Sequence, residues 1–121
     1  MSVLDNELML RDGSSVVSAT ETGDYVKVGQ TPFHNIAVMI YLPTDGTTIT
    51  LDVEQADDSS GTNHESIPNS VFPVKITAGA KTYIYPVQLT RPYAKCDVDA
   101  VTGNFGAVQV GFIMADQAIT S

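Results

Sequence analysis

The chain has 121 residues, 43% of them hydrophobic and 17% charged, which is enough length and apolar content for one folded domain. Fourteen acidic against six basic side chains give a net charge of −8, which disfavours binding to nucleic acid or to anionic membranes. No apolar run is long enough to span a bilayer, and we expect no secretory signal because the start of the chain is acidic.

Residues 1–13 are predicted to form a short arm that ends with a turn at Asp12 and Gly13. The arm is too short for a stable isolated helix, and polar residues interrupt its apolar ones. We expect it either to pack on its own domain or to reach a neighbouring subunit. The apolar side chains available for such a contact include Val3, Leu4, Leu8 and Leu10.

Residues 14–115 are predicted to form a single β-sandwich domain, followed by a short tail at 116–121. Apolar and polar side chains alternate in most segments, which is the period of a half-buried strand. Turn residues recur every ~8–12 positions, as in all-β domains, and no segment has a convincing helical period. The predicted strands are 14–20, 25–28, 35–42, 48–55, 71–77, 81–89 and two long strands within 91–114.

The most apolar of these strands is 35–42. Both of its faces are apolar, so it is either central in its sheet or presents its second face to another subunit. Met39 and Tyr41 lie on that second face and are candidate contacts. Pro86 argues against a central position for its half of strand 81–89, since proline cannot donate to a neighbouring strand.

The stretch 91–114 is predicted to be two long strands joined into a hairpin by a turn at 102–106. Glycines in that turn tolerate the positive φ that a chain reversal needs. A hairpin alone is marginal in water, so its apolar face requires an opposing sheet. The side chains expected on that apolar face are Ala94, Cys96, Val98, Val108, Val110, Phe112 and Met114.

Eight strands with one long polar connection at 56–70 favour an eight-stranded jelly roll, in which two four-stranded sheets face each other. An immunoglobulin-like sandwich is the alternative fold. The antibody version of that fold is disfavoured because the chain has one cysteine and no tryptophan.

No catalytic motif is recognisable in the chain. It lacks a nucleophile elbow, a phosphate-binding glycine loop and the Cys-x-x-Cys and His-Glu-x-x-His patterns. Cys96 falls on the apolar side of its strand, where a small buried hydrophobe is expected. The sequence therefore predicts a scaffold or binding domain rather than an enzyme, with no cofactor and no metal.

Two acidic clusters have some features of metal sites. Asp57, Asp58 and His64 lie in the polar connection, where they form no ligand motif and are expected to be solvated. Asp97 and Asp99 begin like a calcium loop, but the later ligand positions hold Val101 and a threonine, so that pattern fails. Such a carboxylate pair also occurs in glycosidases, but the absence of tryptophan platforms disfavours a sugar subsite.

Residues 89–98 open a strand with Arg91 and Tyr93, and residues 101–110 pass through a glycine-containing turn into a small, apolar last strand. A strand that runs into an acidic loop at 51–58 and the leading arm at 5–10 complete the pattern. These stretches resemble the small capsid cement proteins of tailed bacteriophages. In that family the arginine and the aromatic residue are usually adjacent, whereas a proline separates them here.

The resemblance implies a jelly-roll protein of the virion, made in the host cytoplasm and bound to the outer surface of a mature capsid. Its implied partners are the major capsid protein and further copies of itself, as a dimer or trimer. The alternative is a carbohydrate- or receptor-binding module of a viral fibre or baseplate. The candidate contacts to the capsid or to other subunits are Val3, Leu4, Leu8, Leu10, Met39, Tyr41, Asp57, Asp58 and His64.

Overall fold

In the computed structural model, residues 9–28 and 33–114 are described, with the backbone alone for 33–35 and 114. These residues form nine strands and no helix. The strands are β1 (Met9–Asp12), β2 (Val26–Lys27), β3 (Phe33–Leu42), β4 (Thr48–Ala56), β5 (Glu65–Ser66), β6 (Val74–Ile76), β7 (Lys81–Leu89), β8 (Tyr93–Thr102) and β9 (Gln109–Met114).

The strands form two antiparallel sheets. The four-stranded sheet has the order β1-β9-β3-β7. The five-stranded sheet has the order β2-β8-β4-β5, and β6 also pairs with β4. The prediction of an all-β chain with two antiparallel sheets is thus confirmed. Strand β3 is central, and β7, which contains Pro86, is at an edge, as the sequence predicted.

The core lies between the two sheets and follows the predicted alternation along each strand. One cluster joins inward side chains of both sheets. Fully burying an aliphatic or phenylalanine side chain contributes about 1.5–3 kcal/mol, so this cluster is the main source of stability. Its buried strand members include Ile36, Val38, Ile40, Leu42, Ile49, Leu51, Val53, Val87, Leu89, Ala94, Cys96, Val98, Val110 and Phe112.

The predicted hairpin at 91–114 is wrong, because β8 and β9 belong to different sheets. Strand β8 pairs with β2 and β4, whereas β9 pairs with β1 and β3. The connection 103–108 therefore crosses from one sheet to the other. The positive φ of Gly103 (84°) and Gly106 (83°) lets the chain turn at both ends of this crossing.

The side chain of Phe105 fills the end of the sandwich where the chain crosses. It is fully buried. Its ring packs so closely on Gly46 and Gly79 that a Cβ at those positions would approach it to 2.6 and 2.9 Å. The carbonyl of Phe105 also accepts a hydrogen bond of 3.0 Å from the amide of Thr44. An aromatic residue within the predicted turn thus belongs to the core.

Three predicted strand boundaries also change. Residues 14–20 form no strand, and Val17 alone is buried there, its amide bonded to the carbonyl of Gly106 at 3.1 Å. The strand predicted at 71–77 shortens to β6, and the one at 25–28 to β2. Residues 9–12 pair with β9, so the sandwich begins inside the segment predicted as an arm.

Candidate interaction surfaces

The middle of the outer surface of the four-stranded sheet is apolar, while Thr82 and Gln109 flank Tyr41 at one end of it. Strand register places Met39 directly between Gly111 of β9 and Ile84 of β7, and Ala37 between Ile113 and Pro86. Paired residues share a face of a sheet, so these side chains form two adjacent rows on the side opposite the core. We call this surface the apolar face; it consists of Met9, Ala37, Met39, Tyr41, Ile84, Pro86, Gly111 and Ile113.

Exposure on the apolar face increases toward its β7 edge. Ala37 and Ile113 are buried, whereas Ile84 is 41% exposed and Tyr41 is 39% exposed. The only carboxylate or amine that the register puts on this side, among the described residues of the four strands, is Asp12 at one corner. An exposed apolar area with almost no charge is typical of an interaction surface.

The predicted contact residues that the structure describes lie in different places rather than on one surface. Met39 and Tyr41 lie on the apolar face, as expected for the second face of strand 35–42. Leu10 is half-buried and packs against the core. The predicted contacts Val3, Leu4 and Leu8 lie outside the described residues.

The connection that contains β5, a strand of the five-stranded sheet, carries Asp57, Asp58 and His64. Asp57 accepts hydrogen bonds from Arg91 Nη1 and Asn63 Nδ2, both at 2.7 Å, and these bonds lower its pKa. Asp58 Oδ1 accepts from the amides of Ser60 and Thr62, which lowers the pKa of Asp58 and closes a turn. The His64 side chain is 66% exposed. These residues therefore do not share a surface with Met39 and Tyr41.

This connection is anchored by Gln55, a fully buried polar residue at the end of β4. Its Nε2 donates to Glu65 Oε1 and to Thr90 Oγ1, each at 2.8 Å. Its Oε1 accepts from the amides of Thr90 at 2.9 Å and Arg91 at 3.3 Å. The side chain of Gln55 thus links β4 to β5 and to Thr90 and Arg91, which precede β8. The alternating pattern alone had assigned Gln55 no special role.

We expect Gln55→Ala to lower the free energy of unfolding by about 2–4 kcal/mol, because four hydrogen bonds are lost and buried groups are left unpaired. Urea denaturation followed by circular dichroism would measure this change. Gln109→Ala, which truncates a half-buried glutamine on the other sheet, is the control and should cost under ~1 kcal/mol. A Gln55 effect no larger than that of the control would contradict the anchoring role.

The outer surface of the five-stranded sheet is charged and mostly acidic, unlike the apolar face. Asp52 of β4 faces Asp97 of β8, and Glu54 faces Lys95. With Asp99, these carboxylates form what we call the acidic face. Burial, followed by the nearby charges of Glu54, Asp99 and Asp97, raises the pKa of Asp52 to about 6.

The described residues contain no group of three or more histidine, cysteine or acidic side chains arranged to hold a metal ion. Cys96 is buried and unpaired, and burial raises the pKa of its thiol, which keeps it in the unreactive protonated form. Across residues 9–28 and 33–114, no helix is long and apolar enough to cross a bilayer.

Sequence reasoning missed several residues of these surfaces. Ile84 and Pro86 alternate with the inward tyrosines of β7, so their outward direction was readable from the period of two. That they adjoin Met39 depends on the pairing of β3 with β7, which no local pattern encodes. The burial of Asp52, at 9% exposure, was also not readable, because its strand alternates as if that face were wet.

No family model matches the chain, and no curated protein matches it in sequence.

Proposed function

We propose that this chain is a structural decoration protein that binds the outer surface of a tailed-phage capsid and clamps neighbouring subunits of the major capsid protein. The observation that carries the proposal is the apolar face, which is almost free of charge in a chain of net charge −8. A protein partner desolvates such a surface at low cost. The resemblance of residues 89–98 and 101–110 to capsid cement proteins supplies the kind of partner.

We further propose that the sandwich is an eight-stranded jelly roll. Its strands pair in a nested order: β1 with β9, β2 with β8, β3 with β7, and β4 with β6. A long hairpin that is rolled up on itself produces this nesting, and the pairs β3–β9 and β4–β8 join its turns. The two-residue β5 is an addition within the long connection, outside the nest of eight.

The size of the apolar face favours binding to a lattice. Three strands about 4.8 Å apart and five residues with a rise of about 3.4 Å cover roughly 240 Å². A stable pairwise complex buries about 800 Å² on each partner. One such face is therefore too small for tight binding to one free subunit. A dimer or trimer that engages several lattice subunits at once gains the missing affinity from its linked contacts.

The alternative, a carbohydrate- or receptor-binding module, receives less support. Sugar sites need exposed aromatic rings, but Tyr83 and Tyr85 stack on each other with ring centroids 6.3 Å apart, and Phe72 meets Tyr85 edge-on at 5.8 Å. Both tyrosines are half-buried and pack against the core. Packing within the domain therefore occupies these rings.

Co-sedimentation with expanded, DNA-free shells of the phage that encodes this chain tests the proposal. We expect saturable binding to shells, and binding to free major capsid subunits that is weaker by at least ~100-fold. Equal affinity for free subunits, or no binding to shells, would contradict lattice recognition. Binding to a carbohydrate array in the absence of shells would favour the alternative.

A further inference from the structure

Asp52 is on the outer side of the five-stranded sheet, yet it is only 9% exposed. Its Oδ1 is buried and has no hydrogen-bond partner among the described residues. A buried carboxylate oxygen without a donor is unfavourable in the ionised form, so the carboxyl group favours accepting a proton. Asp52 is therefore a group whose charge state the surrounding residues control.

The charged groups around Asp52 are mostly acidic. Glu54 follows it on β4, and β8 contributes Asp97 and Asp99. Three lysines also stand on this side of the sheet: Lys95 on β8, whose Nζ is 3.3 Å from Asp97 Oδ2, and the exposed Lys75 and Lys27, opposite Thr50 and Tyr93. His64 on the connection places its Nδ1 3.7 Å from Glu54 Oε2, the oxygen that accepts from the Tyr25 hydroxyl. Because Lys95 is already paired with Asp97, the field at Asp52 favours the protonated acid, as does burial.

Tyr25 lies over this cluster and contacts three other elements. Its hydroxyl donates to Glu54 Oε2 at 3.1 Å, and its ring centroid is 5.1 Å from Lys95 Nζ. A Cβ on Gly61 would approach the ring to 2.9 Å, so the ring packs against the backbone of the connection. Burial and the bond to Glu54 raise the pKa of Tyr25 to about 12, so its hydroxyl stays a donor.

Residues 21–25, which we call the strap, are held at one end by Arg11 of β1, whose Nε and Nη2 donate to the two carboxylate oxygens of Glu21 at 2.9 and 3.0 Å. The rest of the strap is held on β8 and β4 by carboxylates and backbone. Glu21 and Val98 exchange backbone hydrogen bonds of 3.0 and 2.9 Å. The amide of Gly23 donates to Asp97 Oδ1 at 2.9 Å. A Cβ on Gly23 would come within 2.2 Å of the carbonyl of Cys96, so the strap fits closely only with glycine there.

We propose that the strap is a pH-sensitive cover, closed over Asp52 while that carboxyl is protonated and open when it ionises. Ionised Asp52 adds a buried negative charge beside Glu54 and Asp97, the two carboxylates that hold Tyr25 and Gly23. Water can hydrate the new charge only if the strap moves away. The bonds of Tyr25 and Gly23 are therefore the ones that open.

The direction of the pH effect follows from the raised pKa of Asp52, about 6 against an ordinary 3.8. The closed form binds the proton more tightly than the open form, so closure is favoured at low pH. Closure weakens as the pH rises from about 4 through 6 and then levels off. A difference of about two pKa units corresponds to a change of about 100-fold in the closing equilibrium.

Amide hydrogen exchange of the whole chain, measured by NMR from pH 5 to pH 7.5, tests the proposal. After correction for intrinsic rates, protection of the Gly23 amide should fall by about 10-fold over this range, while core amides such as that of Val53 change little. Constant protection of Gly23, or an equal loss at Val53, would overturn the strap as a separate switch.

Asp52→Asn should remove the pH dependence at Gly23, because the amide cannot ionise. Asp24→Asn changes the same charge at an exposed strap residue and should keep the dependence.

Tyr25→Phe retains the ring but loses the bond to Glu54, so Gly23 protection should be lower at pH 5 than in the wild type. An unaltered pH dependence in Asp52→Asn, or unaltered protection in Tyr25→Phe, would refute the mechanism.

Discussion

Phe112→Ala should lower the free energy of unfolding by about 3–5 kcal/mol, as expected for removal of a buried phenylalanine. Phe112 is fully buried on the inward side of β9, directly opposite Val38 of the neighbouring β3. It belongs to the cluster that joins both sheets, so the cavity left by truncation cannot close without moving one of them. Single domains are stable by about 5–15 kcal/mol, so this loss is a large part of the total.

Equilibrium unfolding in urea measures this loss. Ile84→Ala provides the control within the same sheet, because Ile84 is on the opposite side and 41% exposed. Its cost should stay within ~1 kcal/mol. A loss below ~1 kcal/mol for Phe112→Ala would mean that the inward and outward sides of β9 are interchanged.

Ile84→Lys should reduce binding to assembled shells by at least ~10-fold while the domain stays folded. Ile84 is next to Met39 on the exposed part of the apolar face, so a partner docked there has to desolvate the new ammonium group. Because the proposed protein binds as an oligomer, each linked contact carries the same defect and the losses multiply. Co-sedimentation with shells over a range of protein concentrations measures the change.

Val71→Lys is the matched control for this substitution. Val71 is 51% exposed and precedes β6, which belongs to the other sheet, so the variant makes the same change in charge away from the apolar face. Its shell binding should stay within ~2-fold of the wild type. Equal losses in both variants would point to charge in general, and unchanged binding of Ile84→Lys would remove the apolar face from the contact.

Local alternation predicted much of the fold. The period of two along β3, β4 and β7 identified these strands and the direction of side chains such as Ile40, Leu51 and Leu89. Pro86 indicated an edge, because a missing amide donor is tolerated only there. These features depend on single segments and their exposure to water, which the sequence encodes directly.

Strand pairing was harder to predict from the sequence, because a turn signal does not identify the strand with which each neighbouring strand pairs. Residues 102–106 carry the glycines of a hairpin turn, yet β8 pairs with β4 along nine positions and leaves β9 to the other sheet. Burial of Phe105 stabilises this crossing in a way that composition did not reveal. The apolar face depends on the same non-local pairing, so the sequence predicted Met39 and Tyr41 but not their neighbour Ile84.

The acidic face illustrates a second limit of sequence patterns. Asp52 and Asp97 occupy positions that alternation along their strands assigns to solvent. The strap, which is distant from both in sequence, bonds to their neighbour Glu54 through Tyr25 and to Asp97 through the amide of Gly23. Charged clusters covered by a remote segment follow from tertiary contacts and have no local period.

We propose that the four-stranded sheet is the binding side of the molecule. Electron cryomicroscopy of shells saturated with the protein tests it most directly, because the two sheets differ in strand number and in their connections. We expect Met39, Tyr41 and Ile84 to face the shell and the acidic face to point to solvent. Density of the shell against Asp52 and Glu54, with the apolar face in solvent, would contradict it.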